Sequence, residues 1–303
     1  MDGAQLLIAG IGGLGSSWAL KAHERAGNDV DLVLVDADES SFSNDVQAHI
    51  IRLGSAEDAS GCAGLPPLGE QRMRNAANVT RMLLEDVELV ILLAGLGGGT
   101  GSGAAPEFAR QARLSGAVVI SVAAHPFTAQ PSRLIIAENS LEKLEKHSDI
   151  CVRLSLDRLA WQARERGSDW RLGASWVEEL VDGLIRTLLR LGLINLDMMD
   201  LKAIVGHKGA STLLVAQGHG DNPQGLLDDA MSSPLASLKL DGAKGCLLQI
   251  EGGPGLTVGQ VGEVADLFTS RLDDDAQVIL GARVSEDLHD RMRVVAVVSG
   301  LAE

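Results

Sequence analysis

Two glycine-dense stretches constrain this chain more than any other feature. Each follows an apolar run and precedes an amphipathic one. The first is "GIGGLGSS", Gly10 to Ser17, at the end of "QLLIAGI". The second is "GLGGGTGSGAAP", Gly95 to Pro106, directly after "VELVILLA". Six of the first nine residues of the second stretch are glycine. Glycine loses the most freedom on folding, so this density implies a use for bare backbone. The placement also limits the fold. Strand, tight glycine turn and helix together form the opening of a parallel α/β unit, and the helix N-terminus at that point offers N–H groups to an anion.

The rest of the first half agrees. "VDLVLVDAD" reads as a second strand ending in two carboxylates, and "GEQRMRNAANVTRMLLED" as a helix. "VELVILLAG" is a buried strand, "APEFARQARLSG" a helix and "AVVISVAA" another strand. Apolar strands alternating with amphipathic helices predict an α/β, doubly wound parallel sheet. Beyond it, "SWVEELVDGLIRTLLRLG" places Trp176, Leu180, Val181, Leu184, Ile185, Leu188 and Leu189 at helical spacing. Ser175 with Glu178 makes a candidate capping box, and Gly192 a stop. Such a helix would be a rod of about 25 Å. After it, "STLLVAQG", "GCLLQIEGG", "VGQVGEVADLFTSRL", "AQVILGARV" and "MRVVAVVSG" mix strands and helices without strict alternation. The expected plan is a nucleotide-binding domain over 1–174, a long central helix over 175–192 and a smaller α+β domain over 193–303.

Composition narrows the function classes. The 303 residues are 46% hydrophobic but only 3% aromatic, with no tyrosine, so the core must rest on Leu, Val, Ile and Ala. Twenty-six basic against 41 acidic residues give a net charge of −15. That argues against a nucleic-acid or anionic-membrane binder, but not against a nucleotide held by backbone N–H groups. Cys62, Cys151 and Cys246 are far apart and form no CxxC, which reads as reduced thiols. No HExxH pattern points to a protein-held metal. Without a basic leader or a long uninterrupted apolar run, a cytoplasmic chain with no direct membrane anchor is expected.

The first stretch alone allows a second reading. Gly10-Ile-Gly12-Gly-Leu-Gly15 fits G-x-G-x-x-G, and Asp36 is placed for a ribose hydroxyl, as in nicotinamide-dependent oxidoreductases. The second stretch shifts the balance. A dinucleotide fold needs no second cradle, whereas a nucleoside di- or triphosphate can be gripped from both sides. Thr100 and Ser102 add hydroxyl groups to that grip.

"GLGGGTGSGAAP" resembles the tubulin signature, G-G-G-T-G-[ST]-G, of the FtsZ/tubulin superfamily. "GIGGLGSS" resembles FtsZ's first phosphate loop, and "GLINLDMMDLKAI" its synergy-loop segment. "SSPL", "GAKGCLLQIEGGPGLTVGQV" and "ILGARVSEDLHDRMRVVAVVSG" are similar to its C-terminal domain in order and spacing. The likeness spans nearly the whole chain and is closer to FtsZ than to eukaryotic tubulin. It implies a GTPase that takes GTP with Mg²⁺, releases GDP and polymerises head to tail, one subunit's acidic loop completing its neighbour's site. By position it implies nucleotide contacts from Gly12, Gly13, Leu14, Gly15, Ser16 and Ser17, and from Asp36 and Asp38 after the second strand. Ala63 and Gly64 fall in the γ-phosphate sensing loop; Gly97, Gly98, Gly99, Thr100, Gly101 and Ser102 form the second cradle. Gln130 stands at the ribose position, and Arg133 replaces a phosphate-side Arg. The implied catalytic residues are Asn195, Asp197 and Asp200. Two carboxylates three residues apart can orient or deprotonate an attacking water; a capping pair at the end of the rod is the plainer reading of the same residues.

The sequence also departs from the family pattern. "GCAGLPPLG" stands for GAGANPEVG, with Leu65 in place of Asn and Pro67 in place of Glu. "PFTAQPSRL" stands for PFxFEGRRR, one residue shorter. Ala174 and Ser175 occupy the places of an Asn/Asp pair that reads the guanine edge, and its loss weakens base discrimination. A second function therefore stays open: an FtsZ-fold structural paralogue with weak or no hydrolysis and relaxed guanine preference. The implied partners are further copies of the chain and a second FtsZ-like protein. FtsZ proteins usually continue into a disordered linker and an adaptor-binding tail; this sequence stops at Glu303, just after the last strand, either because such a tail was trimmed or because the protein lacks it.

Overall fold

The computed structural model describes residues 5–27, 29–38, 42, 47–54, 61–165, 167, 169–170, 175–190, 192–233, 235–236 and 239–301. In chain order the first part contains β1 (Gln5–Ile11), α1 (Gly12–Ala26), β2 (Asp31–Asp36), β3 (His49–Arg52), α2 (Pro66–Asn75), α3 (Ala77–Leu83) and β4 (Val87–Gly95). It continues with α4 (Gly99–Leu114), β5 (Val118–His125), α5 (Pro131–Glu145), β6 (Ile150–Ser155) and α6 (Leu156–Glu165). The six strands form one parallel sheet in the order β3-β2-β1-β4-β5-β6. Every residue of β5 is buried, as a strand covered on both faces requires.

The chain runs outward from β1 to β3, then returns to β4 on the other side of β1. That reversal is where open α/β sheets bind ligands, outside the carboxyl ends of the strands. Ile11, the last residue of β1, lies opposite Ala94 of β4. The two glycine stretches therefore start side by side.

The second part contains α7 (Ser175–Leu189), α8 (Met198–Val205), β7 (Ala210–His219), α9 (Pro223–Ser232), β8 (Gly245–Gly252), α10 (Val258–Thr269), β9 (Gln277–Val284) and β10 (Arg291–Leu301). Its four strands are ordered β7-β10-β8-β9, antiparallel except for the β8–β9 pair. The chain divides into two compact units, residues 1–178 and 179–303. Each has its own apolar cluster, one around Phe108, Met73 and Leu92, the other around Phe268, Val264 and Ile250.

Several elements differ from the sequence expectation, and α5, β6 and α6 answer to no strand or helix singled out in it. The helix expected over "GEQRMRNAANVTRMLLED" is two helices, α2 and α3, joined at Ala76 with ψ near 3°. The buried Thr80 hydroxyl donates to the Ala76 carbonyl at 3.1 Å, a local bond that competes with the helical ladder. α4 begins at Gly99, so two thirds of the second glycine stretch is helix rather than loop. β3, four residues on the sheet edge, was not expected at all.

Candidate functional site

α1 opens at Gly12, whose φ of +74° only glycine adopts without strain. A Cβ there would lie 3.2 Å from the Gly101 nitrogen, so the two stretches touch backbone to backbone. A Cβ on Gly15 would run into the Leu93 carbonyl, and one on Gly101 into the Gly95 carbonyl. These glycines serve close packing. Gly98 is different: it is extended, and nothing lies within 4 Å of where its Cβ would point.

Neither α1 nor α4 has a side-chain cap, and neither has an acidic residue in its first turn. The leading N–H groups of a helix have no intrahelical partner. Two such termini meeting at one point, with both dipoles positive there, make an anion site of backbone alone.

The hydroxyl groups divide into two kinds. Ser16 Oγ donates to the Gly10 carbonyl at 3.3 Å, and the Gly97 N–H donates to Ser102 Oγ at 2.8 Å; both serines are buried. They hold the shape of the two turns. Thr100 and Ser17 are half-buried, as is Leu14, while Gly13 is exposed.

The Ala63–Gly64 turn lies against the start of α4. A Cβ on Gly99 would be 2.7 Å from the Cys62 carbonyl and 2.8 Å from the Leu65 nitrogen. Ala63 has φ +48° and Gly64 φ +70°, a left-handed pair that Ala tolerates poorly. The following helix, α2, is tied to α4 by the buried Glu107. Arg110 grips its carboxylate at 2.6 and 2.9 Å, and Arg74 of α2 approaches to 3.5 Å. Burial alone would raise the Glu107 pKa, but hydrogen bonds from Arg110 and Gln111 and the nearby guanidinium charges hold it below the usual carboxylate value.

α5 completes the rim. Arg133 Nε donates to the Gly97 carbonyl at 3.2 Å, and its Nη1 donates to Gln130 Oε1 at 3.3 Å. Behind them, His125 is buried at the end of β5, 3.0 Å from Arg153 and 3.2 Å from Glu138. Burial, reinforced by the Arg153 charge, lowers its pKa below 6.5. The Gln130 N–H donates to the Phe127 carbonyl at 2.9 Å, and the Phe127 ring meets Trp170 edge to face at 5.2 Å. Sequence reasoning missed this aromatic pair; its one signal was two rings in a chain nearly without them.

Asp36 is buried and accepts from the Ala37 and Asp38 N–H groups at 2.7 and 3.4 Å, so it shapes its own turn. Asp38 is half-buried beside it. Ala174 and the Ser175 side chain lie outside the described residues. Among the described residues, no group of three His, Cys, Asp or Glu is arranged to hold a metal ion.

The acidic turn belongs to the other unit. Asp197 caps α8, accepting from the Met199 and Asp200 N–H groups at 2.7 and 3.0 Å. Asp200 Oδ2 in turn accepts from the Asp197 N–H at 2.9 Å, so the pair is a reciprocal capping box. Asn195 Oδ1 accepts from the Gly192 N–H at 2.6 Å. The Leu193 and Ile194 N–H groups both donate to the Ala282 carbonyl of β9, at 2.8 and 3.0 Å. Asp197 and Asn195 are exposed and Asp200 is half-buried. Leu193, Ile194 and Met199 around them are 66%, 47% and 70% exposed.

The model of the tubulin/FtsZ family GTPase domain matches residues 5–162, and that of the FtsZ C-terminal domain matches residues 209–302. The cell division protein FtsZ 2 of Halobacterium salinarum is 33% identical over 301 residues, covering 98% of this chain and 77% of that protein. The chain belongs to the tubulin/FtsZ family. Its structure matches an empty FtsZ dimer from M. jannaschii with a TM-score of 0.87 at 27% identity, covering 98% of this chain and 88% of the other. CetZ2 from Haloferax volcanii, solved as a GTPγS-bound protofilament, matches with a TM-score of 0.76 at 18% identity, covering 98% and 93%; that likeness is one of fold. The chain is an FtsZ-like GTPase with a guanine-nucleotide-binding GTPase domain. No described helix is long and apolar enough to cross a membrane.

Proposed function

We propose that this FtsZ-like GTPase holds GTP between its two glycine stretches and polymerises head to tail, each subunit's acidic turn completing the site of the next. The observation that carries this reading is the acidic turn itself. Two carboxylates fixed in a capping box are flanked along the chain by three exposed large apolar side chains, Leu193, Ile194 and Met199. An apolar patch with a polar centre, left open on the surface, fits a contact made in assembly.

In this reading the N–H groups from Gly98 to Gly101, and from Gly12 to Gly15, take the phosphate oxygens, with Thr100 as the hydroxyl donor. Ser16 and Ser102 hold the turns. Ala63 and Gly64 sense the γ-phosphate, Arg133 supplies the phosphate-side charge, Gln130 borders the ribose, and Asp36 and Asp38 belong to the nucleotide-facing loop after β2. Mg²⁺ bound with the nucleotide would supply charge neutralisation on the phosphates; the backbone cradle, with few carboxylates of its own, would leave that ion to the nucleotide. Asp197 and Asp200 orient the attacking water and accept its proton, while Asn195 fixes the turn that carries them. Nucleotide binding then falls to residues 1–174, the central helix to 175–192 and assembly to 193–303. We place this work in the cytoplasm and in cell division, as the name of the halobacterial relative suggests. Its number, FtsZ 2, supports a second FtsZ-like protein as a partner.

A structural paralogue with little hydrolysis is favoured by one observation: the sensing turn carries an exposed Leu65 followed by two prolines. Turnover separates the two readings. GTP hydrolysis per subunit should rise with protein concentration, and Asp200→Ala should abolish it while leaving GTP bound. Normal turnover in that variant ends the shared-site mechanism; no turnover in the unaltered chain, with nucleotide bound, selects the structural paralogue.

A further inference from the structure

We infer that Glu251 is a positioning residue for the acidic turn, acting through a buried row of charges that fixes the strand on which the turn is hung. The inference rests on the proposed role of Asp197 and Asp200 only where it concerns turnover.

Arg293 of β10, Glu251 of β8 and Arg283 of β9 are register partners across three adjacent strands. Arg293 Nη1 donates to Glu251 Oε2 at 3.2 Å, and Arg283 Nη1 lies 3.5 Å from Glu251 Oε1. Asp182 of α7 closes the row from above, 3.8 Å from Arg293, and is itself bonded by Arg186 at 2.7 Å. Asp182, Glu251, Arg283 and Arg293 are all buried. α7 comes close to this face because Gly183 has no side chain; a Cβ there would collide with the Val295 side chain.

A buried ionic row gains little stability over apolar residues of the same size, and its best-attested use is to select one register. Register matters most at β9. It is the edge strand, bonded along its length only to β8. A slip of one residue would turn Arg283 to the other face of the sheet, where Ile250, Ala282 and Val294 join the apolar cluster. Glu251 between two guanidinium groups forbids that slip.

The consequence reaches the turn at once. Ala282, the residue before Arg283, accepts both the Leu193 and Ile194 N–H groups and donates back to Ile194 at 3.1 Å. Gly192 sits against Arg283 itself, since a Cβ on Gly192 would lie 3.1 Å from that of Arg283. The register of β9 therefore sets which carbonyl the turn hangs from, and with it the position of Asp197 and Asp200.

The test uses Glu251→Gln in the full chain, with amide exchange read residue by residue. The Leu193 and Ile194 amides should exchange at least tenfold faster, while the Val294 to Val298 amides keep their protection. GTP turnover should fall at least tenfold with the affinity for a non-hydrolysed GTP analogue unchanged. Glu251→Asp, which keeps the charge, should bring both readouts back to within about threefold. Unchanged exchange at Leu193 and Ile194 overturns the inference, and so does loss of protection throughout β10, which would mean a purely structural role. If Glu251→Gln does not fold, Arg283→Lys is read the same way: at least threefold faster exchange at the two amides is expected, and unchanged exchange overturns it. Failure of the shared-site reading appears separately, as normal turnover in Asp200→Ala, and leaves the exchange measurement standing.

Discussion

Gly98 and Gly101 are three residues apart and answer to different demands. Gly101 exists because the Gly95 carbonyl occupies the space of a side chain. Gly101→Ala should therefore destabilise the fold by about 3 kcal/mol, since a rigid backbone contact cannot relax as a side chain would. Gly98 faces open space in an extended conformation that alanine adopts freely. Gly98→Ala should leave stability within about 0.5 kcal/mol and weaken GTP binding about tenfold, because the added methyl enters the cradle. Urea unfolding and nucleotide titration of the two variants check both halves; weak GTP binding only where the fold is damaged would mean that the cradle does not hold phosphate. His125 makes a second prediction at this scale. Burial and Arg153 depress its folded pKa below 6.5. Between the folded and unfolded pKa the unfolded chain binds more protons, so stability is complete above about pH 6.5 and is lost as pH falls toward the folded value. Replacing His125 with Gln should flatten the stability profile as pH falls below about 6.5. An unchanged slope would place the acid sensitivity elsewhere.

At the scale of elements, the acidic turn has two duties that can be separated. Asp197→Ala removes a helix cap that accepts two N–H groups, and should cost about 1 kcal/mol of unfolding free energy. Asp200→Asn keeps an oxygen that can accept from the Asp197 N–H, so the cap survives while the carboxylate is lost. Under the proposed mechanism it should retain stability within about 0.5 kcal/mol and lose turnover by at least about 100-fold. Equal effects on both measurements would reduce the pair to a cap. What the sequence made legible follows from the same local rules. β1 and β4 were readable to their end residues because buried parallel strands are unbroken apolar runs. The start of α4 was not, because glycine is a poor helix former. Gly99, Gly101 and Gly103 sit in a helix despite their poor propensity because Cys62, Gly95 and Pro66 leave no room there for a Cβ, so packing and not propensity chooses the residue. β3 is too short and too exposed to alternate clearly. The meeting of the two glycine stretches was legible since both follow buried strands and both are dense in glycine. The bond from Arg133 to Gly97 and the charged row through Glu251 join residues far apart in sequence, and no local pattern announces them.

At the scale of the molecule, the cradle lies in the unit of residues 1–178 and the acidic turn in that of residues 179–303. A site shared between subunits predicts something that a self-contained site forbids. Asp200→Ala keeps its cradle and lacks its acid; Gly98→Asp keeps its acid and repels phosphate from a position with room for the side chain. Each alone should be inert. Mixed one to one, they should recover about a quarter of full turnover, because one junction in four then pairs an intact cradle with an intact turn in a head-to-tail contact. Adding Met199→Glu to the Gly98→Asp partner should remove the recovery, since it sets a charge in the exposed apolar rim. Asp200→Ala would still bind GTP in that mixture, so the loss would belong to the contact and not to the nucleotide. A mixture no more active than its parts, with both variants shown to join unaltered filaments, would place the whole reaction within one subunit.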